Sequence, residues 1–153
     1  MSTGTTVRES ILSNLVTVCK AISADNSFRT NVRLVERQWR HPDEIAHGDF
    51  PALFIIDSDE QVSELTNAAL LSTFTVVIVG YVRHEKAASV EINKLIGDVI
   101  EKIYADKTRG GYAVNTVIRR IETDVFNELP YAFCAVSFDI EYSYLALDVT
   151  QPT

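Results

Sequence analysis

Residues 72–83 constrain the fold of this chain more than any other stretch, because they predict a long strand that is apolar on both faces. The centre of the strand reads Thr75-Val76-Val77-Ile78-Val79. Residues of a strand alternate between the two faces of a sheet, so this stretch leaves no polar face for water and needs cover on both sides. The rest of the chain predicts two helices, which cover one side. We therefore expect another copy of the chain to cover the other side.

Two amphipathic helices are predicted from apolar residues that recur at helical spacing. Thr6 and Glu9 form the Ser/Thr-x-x-Glu pattern of a capping box, which places the start of the first helix after Thr6. This helix is expected to end near Asp25-Asn26. The second helix follows the long strand and has the strongest helical pattern in the chain. Its apolar stripe consists of Ile92, Leu95, Ile96, Val99, Ile100 and Ile103.

Four further strands are predicted around the long one. Residues 31–37 alternate apolar and polar side chains, which is typical of a strand near a sheet edge. Residues 52–57 follow Pro51, whose missing N–H does least harm at the start of a strand. Residues 116–125 place Val117, Ile121 and Val125 on one face. The last strand alternates most regularly, with Cys134, Val136, Phe138, Ile140, Tyr142 and Tyr144 against Ser137, Asp139, Glu141 and Ser143.

The order of elements, α-β-β-β-α-β-β, predicts a single α+β domain over residues 1–153. We expect a mostly antiparallel sheet of four to five strands with both helices packed on one face. Residues 57–67 are predicted to form an acidic loop, and Gly110-Gly111 a second loop. Residues 1–5 and 148–153 are expected to be flexible ends.

The composition excludes several classes of function. The net charge of −7 argues against tight binding to nucleic acid, because contacts to phosphates need Lys and Arg. No stretch has the length and apolarity of a membrane span, and no charged leader with an apolar core opens the sequence. We expect a protein that is made and kept in a cytoplasm and that binds no membrane. Cys19 and Cys134 are predicted to be buried, reduced thiols, since both fall on apolar faces.

The acidic segment of residues 57–64 is the first candidate for a functional site. Its carboxylates are Asp57, Asp59, Glu60 and Glu64. We predict that it is either a solvated loop or a contact with a partner or a neighbouring copy. Alternatively, Asp57 and Asp59 could hold Mg²⁺, which prefers oxygen ligands, in a small nuclease or hydrolase. Such a site also needs a catalytic lysine or histidine near the metal, and the sequence offers for this role Lys94, which falls on the second helix.

Two further pairs of residues are candidates for contacts between copies. Asp139 and Glu141 face away from the predicted core on the last strand. They either pair with Arg120 and Glu122 across the sheet or line a surface that copies of the protein share. Val77 and Val79 belong to the face of the long strand that lacks cover.

The distribution of arginines also bears on self-association. Several arginines lie outside the acidic segment, so one chain carries separate basic and acidic regions. Such regions suit a head-to-tail contact between identical subunits, which closes into a ring when the rotation permits. The arginines are Arg29, Arg33, Arg37, Arg40 and Arg83.

Several stretches of the chain together point to a known family. They are the opening helix that ends before Phe28, the strand phrases of residues 50–56, 74–81 and 138–144, and the helix of residues 90–104. Their sequences and order resemble those of the tail terminator (tail completion) proteins of long-tailed bacteriophages. The likeness covers most of the chain and includes no catalytic motif.

This resemblance implies a structural virion protein with no enzymatic activity and no cofactor. It implies a homo-oligomer, a hexameric ring, that caps the tail tube, stops its polymerisation and offers a surface to a head-side connector or neck protein. Viral DNA is then expected to pass through an acidic bore without sequence-specific binding. The protein is expected to assemble in the host cytoplasm and to reside at the head-proximal end of the tail. Another head–tail joining or neck component of the same virion is the alternative within this class.

Overall fold

The described residues of the chain fold into two α-helices and a mixed sheet of six strands. This computed structural model describes residues 3–124 and 129–153. The α+β class is confirmed, while the expected four to five strands become six and the sheet is not purely antiparallel. In chain order the elements are α1 (Val7–Lys20), β1 (Leu34–Glu36), β2 (Ala52–Thr66), β3 (Ala69–Arg83), α2 (Ala88–Tyr104), β4 (Asn115–Thr123), β5 (Tyr131–Leu145) and β6 (Asp148–Pro152).

The long apolar strand β3 lies at the centre of the sheet, whose strand order is β1-β2-β3-β5-β4 with β6 beside β5. β3 and β5 pair antiparallel along their whole length, from Ala69 opposite Leu145 to Arg83 opposite Tyr131. On its other edge β3 pairs antiparallel with β2. The short strand β1 runs parallel to β2, which makes the sheet mixed.

The acidic segment is part of strand β2, so the prediction of a loop over residues 57–67 is wrong. β2 continues through these residues to Thr66 and pairs with β3 as a long hairpin. A β-bulge between Asp57 and Glu60 interrupts the pairing. The prediction failed because side chains on both faces of this half-strand are exposed, so the sequence carries no apolar alternation. Pairing with β3 decides the structure instead of local pattern.

Both helices pack on one face of the sheet, as predicted. Thr6 is the N-cap of α1, and its Oγ1 accepts a hydrogen bond of 3.1 Å from the Glu9 N–H, so the capping box is confirmed. α1 ends at Lys20, earlier than predicted. The predicted stripe of α2 faces the main core. Fully buried residues of this core include Ile11, Leu15, Leu53, Ile55, Phe74, Ile78, Leu95, Val99, Val136, Phe138 and Ile140.

The second face of β3 is covered in part by a loop of the same chain. Ile45 and Phe50, from the segment between β1 and β2, pack with Val79 and Tyr81 in a second apolar cluster. The Trp39 indole N–H also donates a 2.7 Å hydrogen bond to the Tyr81 hydroxyl. The expectation that this whole face needs another copy of the chain is therefore wrong for the half that contains Val79, which is 9% exposed.

The uncovered half of that face begins at Val77, which is half-buried, and continues toward the β2–β3 turn. No periodic pattern in the sequence predicts the loop that covers Val79. Ile45 and Phe50 stand apart in a mostly polar stretch and follow no helix or strand period.

Two predictions at the end of the chain also change. A β-bulge between Ile118 and Arg120 places Val117 opposite Asp139 and Ile121 opposite Val136, which puts these two residues on different faces of the sheet. Val125, the third residue of that predicted face, lies outside the described residues. Asp148–Pro152, expected to be flexible, forms β6 and pairs with β5. No helix among the described residues has the length and apolarity needed to cross a membrane.

Gly80 allows α2 to approach the sheet closely. A Cβ atom at this position would lie 2.8 Å from the Cys134 Sγ and 3.0 Å from a methyl carbon of Leu95. Cys134 and Cys19 are both buried and free, as predicted, and burial raises the pKa of each thiol to about 12. Strands β3 and β5 and helix α2 therefore meet at Gly80, where no space remains for an extra carbon atom.

We expect Gly80→Ala to lower the free energy of unfolding by about 1–3 kcal/mol, because the added methyl overpacks the core. Urea denaturation followed by circular dichroism measures this change. Gly48→Ala is the matched control, since nothing lies within 4 Å of its Cβ position, and it should change stability by less than about 0.5 kcal/mol. Equal stability of the Gly80 variant and the wild type would contradict the close approach.

Candidate assembly surface

One end of the sheet projects apolar side chains into solvent. The β2–β3 turn and the β5–β6 turn lie side by side there, joined by a 2.6 Å hydrogen bond from the Ala146 N–H to the Ala68 carbonyl oxygen. Around these turns the large apolar side chains are between 37% and 86% exposed. We call this set the distal patch: Val62, Leu65, Leu145, Leu147 and Val149.

A partly buried network of charged and polar side chains attaches this end of the sheet to α1. Its members are Arg8, Asp57, Glu60 and Tyr142. The Glu60 carboxylate accepts a 2.9 Å hydrogen bond from the Arg8 Nε–H and a 2.6 Å hydrogen bond from the Tyr142 hydroxyl. Arg8 also donates to Asp57 at 3.1 Å, and its guanidinium lies 4.2 Å from the centre of the Phe74 ring. The network fixes the first turn of α1 on the long hairpin.

The network shifts the pKa of two of its members. Burial lowers the pKa of Arg8, but the hydrogen bonds to Glu60 and Asp57 outweigh burial, and the net pKa is raised. Burial also raises the pKa of the Tyr142 hydroxyl, and its hydrogen bond to Glu60 adds to this effect. Arg8 therefore stays charged and Tyr142 stays neutral at physiological pH. The sequence did not predict that Arg8 binds the acidic segment, because Arg8 lies far along the chain from Asp57 and Glu60.

A cleft of about 250 Å³ opens between this network and the distal patch. The rings of Tyr142 and Tyr144 stack on one of its walls with centroids 5.3 Å apart. Its lining is Thr6, Arg8, Glu60, Tyr142, Tyr144 and Val149. A cleft with aromatic walls and one member of the distal patch is suited to an apolar side chain of a docked protein.

The two carboxylates proposed as magnesium ligands are not brought together. Asp57 pairs opposite Val76 on the helix-facing side, where Arg8 binds it. Asp59 falls in the bulge and lines the opposite face with Thr75 and Arg119. Within residues 3–124 and 129–153, no group of three or more His, Cys, Asp or Glu side chains is placed to hold a metal ion. Glu64 lies beyond the network and is exposed.

Asp139, on the outer face of the sheet, is held by side chains of the neighbouring strands. It accepts a 2.7 Å hydrogen bond from the Thr75 hydroxyl and a 2.9 Å hydrogen bond from Arg119. The predicted pairing of Asp139 and Glu141 with Arg120 and Glu122 is wrong.

The observed register places Val117 opposite Asp139, Asn115 opposite Glu141 and Arg120 opposite Ser137. Arg120 and Glu122 instead form an ion pair of 2.9 Å with each other. The bulge at Arg119 shifts the register, and a bulge leaves no clear trace in a single sequence.

A family model described as Bacteriophage Tail Tube Terminator Protein matches residues 1–149. The chain belongs to the bacteriophage tail tube terminator family. No curated protein shows significant similarity to it. The resemblance to tail terminators that the strand phrases indicated is confirmed, and membership of this family makes the chain a component of a virion tail.

Most of the arginines that were expected to form a basic region of the terminator are paired with carboxylates of the same chain. Arg29 bonds to the buried carboxylate of Asp98 at 2.9 Å and also to Glu101. Three others form ion pairs, of Arg37 with Glu9, Arg40 with Glu36 and Arg83 with Glu85. The hydrogen bond from Arg37 lowers the pKa of Glu9. Charge segregation between these arginines and the acidic segment is therefore weaker than the sequence indicated.

Replacement of Glu60 tests whether its network with Arg8 and Tyr142 stabilises the fold. We expect Glu60→Gln to lower the free energy of unfolding by about 1–3 kcal/mol, because Arg8 loses a charged hydrogen-bond partner. Chemical denaturation measures this. Glu64→Gln, an exposed change of the same kind on the same strand, should leave stability within about 0.5 kcal/mol of the wild type. Equal effects of both substitutions would show that the network does not stabilise the fold.

Proposed function

We propose that this chain is a non-enzymatic tail terminator whose copies form a ring, most simply of six subunits, on the end of the tail tube. The distal patch is the observation that carries this proposal. It gathers five large exposed apolar side chains at one end of the sheet. Clustered apolar exposure of this kind marks contacts with other proteins.

The mechanism that we propose is geometric. The ring presents its distal patches to the last layer of tube protein and buries the surface to which the next layer would bind. Burial of apolar surface contributes about 25 cal/mol for each Å² removed from water. The opposite side of the ring differs from the surface that it covers. Tube growth therefore stops, and a head-side connector or neck protein meets a new surface.

The acidic charge of the chain suits a ring that surrounds DNA without binding it. With a net charge of −7, copies arranged around a channel repel phosphates and leave the genome free to slide. No cofactor, metal or membrane takes part in this proposal. In this proposal the protein assembles in the host cytoplasm and lies at the head-proximal end of the tail.

A phage that lacks this chain should make tail tubes of uncontrolled length, because nothing buries the growing end. Negative-stain electron microscopy of infected-cell lysates measures the length distribution. Complementation with the wild-type chain is the control and should restore one length. Normal-length tails that fail to join heads would assign the chain to another neck component, and normal joined tails would contradict both roles.

Charge placed in the distal patch should abolish termination without unfolding the protein. We expect Leu65→Glu with Leu147→Glu to weaken binding to tube ends about tenfold or more, since burial of unpaired charge costs more than the roughly 1.4 kcal/mol that a factor of ten represents. The measurement is the length of tubes grown from purified tube protein in the presence of each variant.

Val90→Glu provides the matched control for this experiment. Val90 is equally exposed, at 55%, but lies on α2 near the opposite end of the sheet. Termination by the distal variant at wild-type concentrations would contradict the proposed contact.

A further inference from the structure

The sheet has a long unpaired edge along the acidic half of β2. β1 pairs with Ala52, Leu53 and Phe54, and no other described strand pairs with this edge. From Ile55 to Thr66 the strand therefore has a neighbour on one side, β3. Backbone N–H and C=O groups on such an edge can pair with a strand from another chain.

A second unpaired edge lies at the other side of the sheet, along β4. Among the described strands β4 pairs with β5 alone. Part of this edge is used within the chain, because the Ile118 N–H donates a 2.9 Å hydrogen bond to the Tyr104 hydroxyl. After the bulge the pairing with β5 is regular from Arg120 to Thr123. This stretch can accept a strand on its outer side.

The regular stretches of the two edges suit each other on the helix-facing side of the sheet. Val62 on β2 is 51% exposed and Ile121 on β4 is 46% exposed. Their pairing partners, Ser72 and Val136, place both side chains on that face. Pairing of two β2 edges would bring the glutamates on either side of Val62 opposite like charges, which destabilises a sheet, whereas pairing of β2 with β4 brings the two apolar side chains together. Contact between different edges of two copies is therefore favoured.

We propose that β2 of one copy pairs with β4 of the next copy, so that the sheets of a ring form one continuous sheet. Within a chain β2 and β4 run antiparallel, because each successive pair in the order β2-β3-β5-β4 is antiparallel. Rotation about an axis along the strands keeps this relation, so the joint between copies is also antiparallel.

The edge-to-edge contact is heterologous, the type that closes into rings. This contact would be the lateral interface between neighbouring subunits of the ring. The inference rests on the proposed terminator function.

The bulges define how long this joint is. On β2 the register is regular from Glu60 to Glu64, between two shifts, and on β4 from Arg120 to Thr123. Both stretches have the length of an ordinary strand. Register shifts at both ends of the β2 stretch and a bulge at the start of the β4 stretch limit wrong pairings with other exposed strands.

Cross-linking tests the joint directly. Val62→Cys and Ile121→Cys place thiols at exposed positions in the two stretches, on the same face of the sheet by their pairing partners. A mixture of the two variants treated with a short bismaleimide should give a mixed cross-linked dimer, and each variant alone should give none. A chain with both substitutions should give a ladder that ends at the ring size. Val62→Cys mixed with Val90→Cys is the control and should not cross-link.

The outcomes separate the joint from the function. A wild-type chain that stays monomeric at all concentrations and on tube ends overturns the ring itself. A ring that forms while Val62→Cys links to itself, or while no mixed dimer appears, overturns the β2–β4 joint and leaves termination intact.

Discussion

The fold depends on the antiparallel pairing of β3 with β5, which runs without a break over 15 residues of each strand. Every other element is placed by this ribbon. β2 and β4 add to its two edges, α2 packs across both strands, and the second apolar cluster forms on the reverse side. The apolar alternation on both strands sets the register, since a shift by one residue would turn the core side chains outward.

The two ends of this ribbon meet different surroundings. Toward Arg83 both faces are covered, by the helices on one side and by the loop with Ile45 and Phe50 on the other. Toward Ala69 the helices end at the Arg8 network, and beyond it the hairpins are exposed. The apolar side chains of the distal patch therefore lie outside both apolar clusters and add nothing to the core of the chain. This contrast between a covered and an exposed end is the structural basis of the proposed terminator role.

Much of the architecture could be predicted from the sequence because strong periodic patterns specify it. The stripe of α2, the capping box at Thr6 and the alternation of β5 are local signals that tertiary contacts reinforce. Three features could not be predicted. The acidic half of β2 has no apolar alternation, the bulge at Arg119 changes the partner of Asp139, and Arg8 binds Glu60 across a long sequence separation. Each depends on pairing between distant segments, and single-sequence patterns do not record such pairing.

The hydrogen bond between Ala146 and Ala68 has a mechanical consequence. Each long strand spans about 50 Å at about 3.3 Å per residue, so the turns lie far from the opposite end of the sheet. Because the β2–β3 turn and the β5–β6 turn are tied together, a load on either one is shared by four strands. The tie makes the exposed end of the sheet stiffer than a single free hairpin would be.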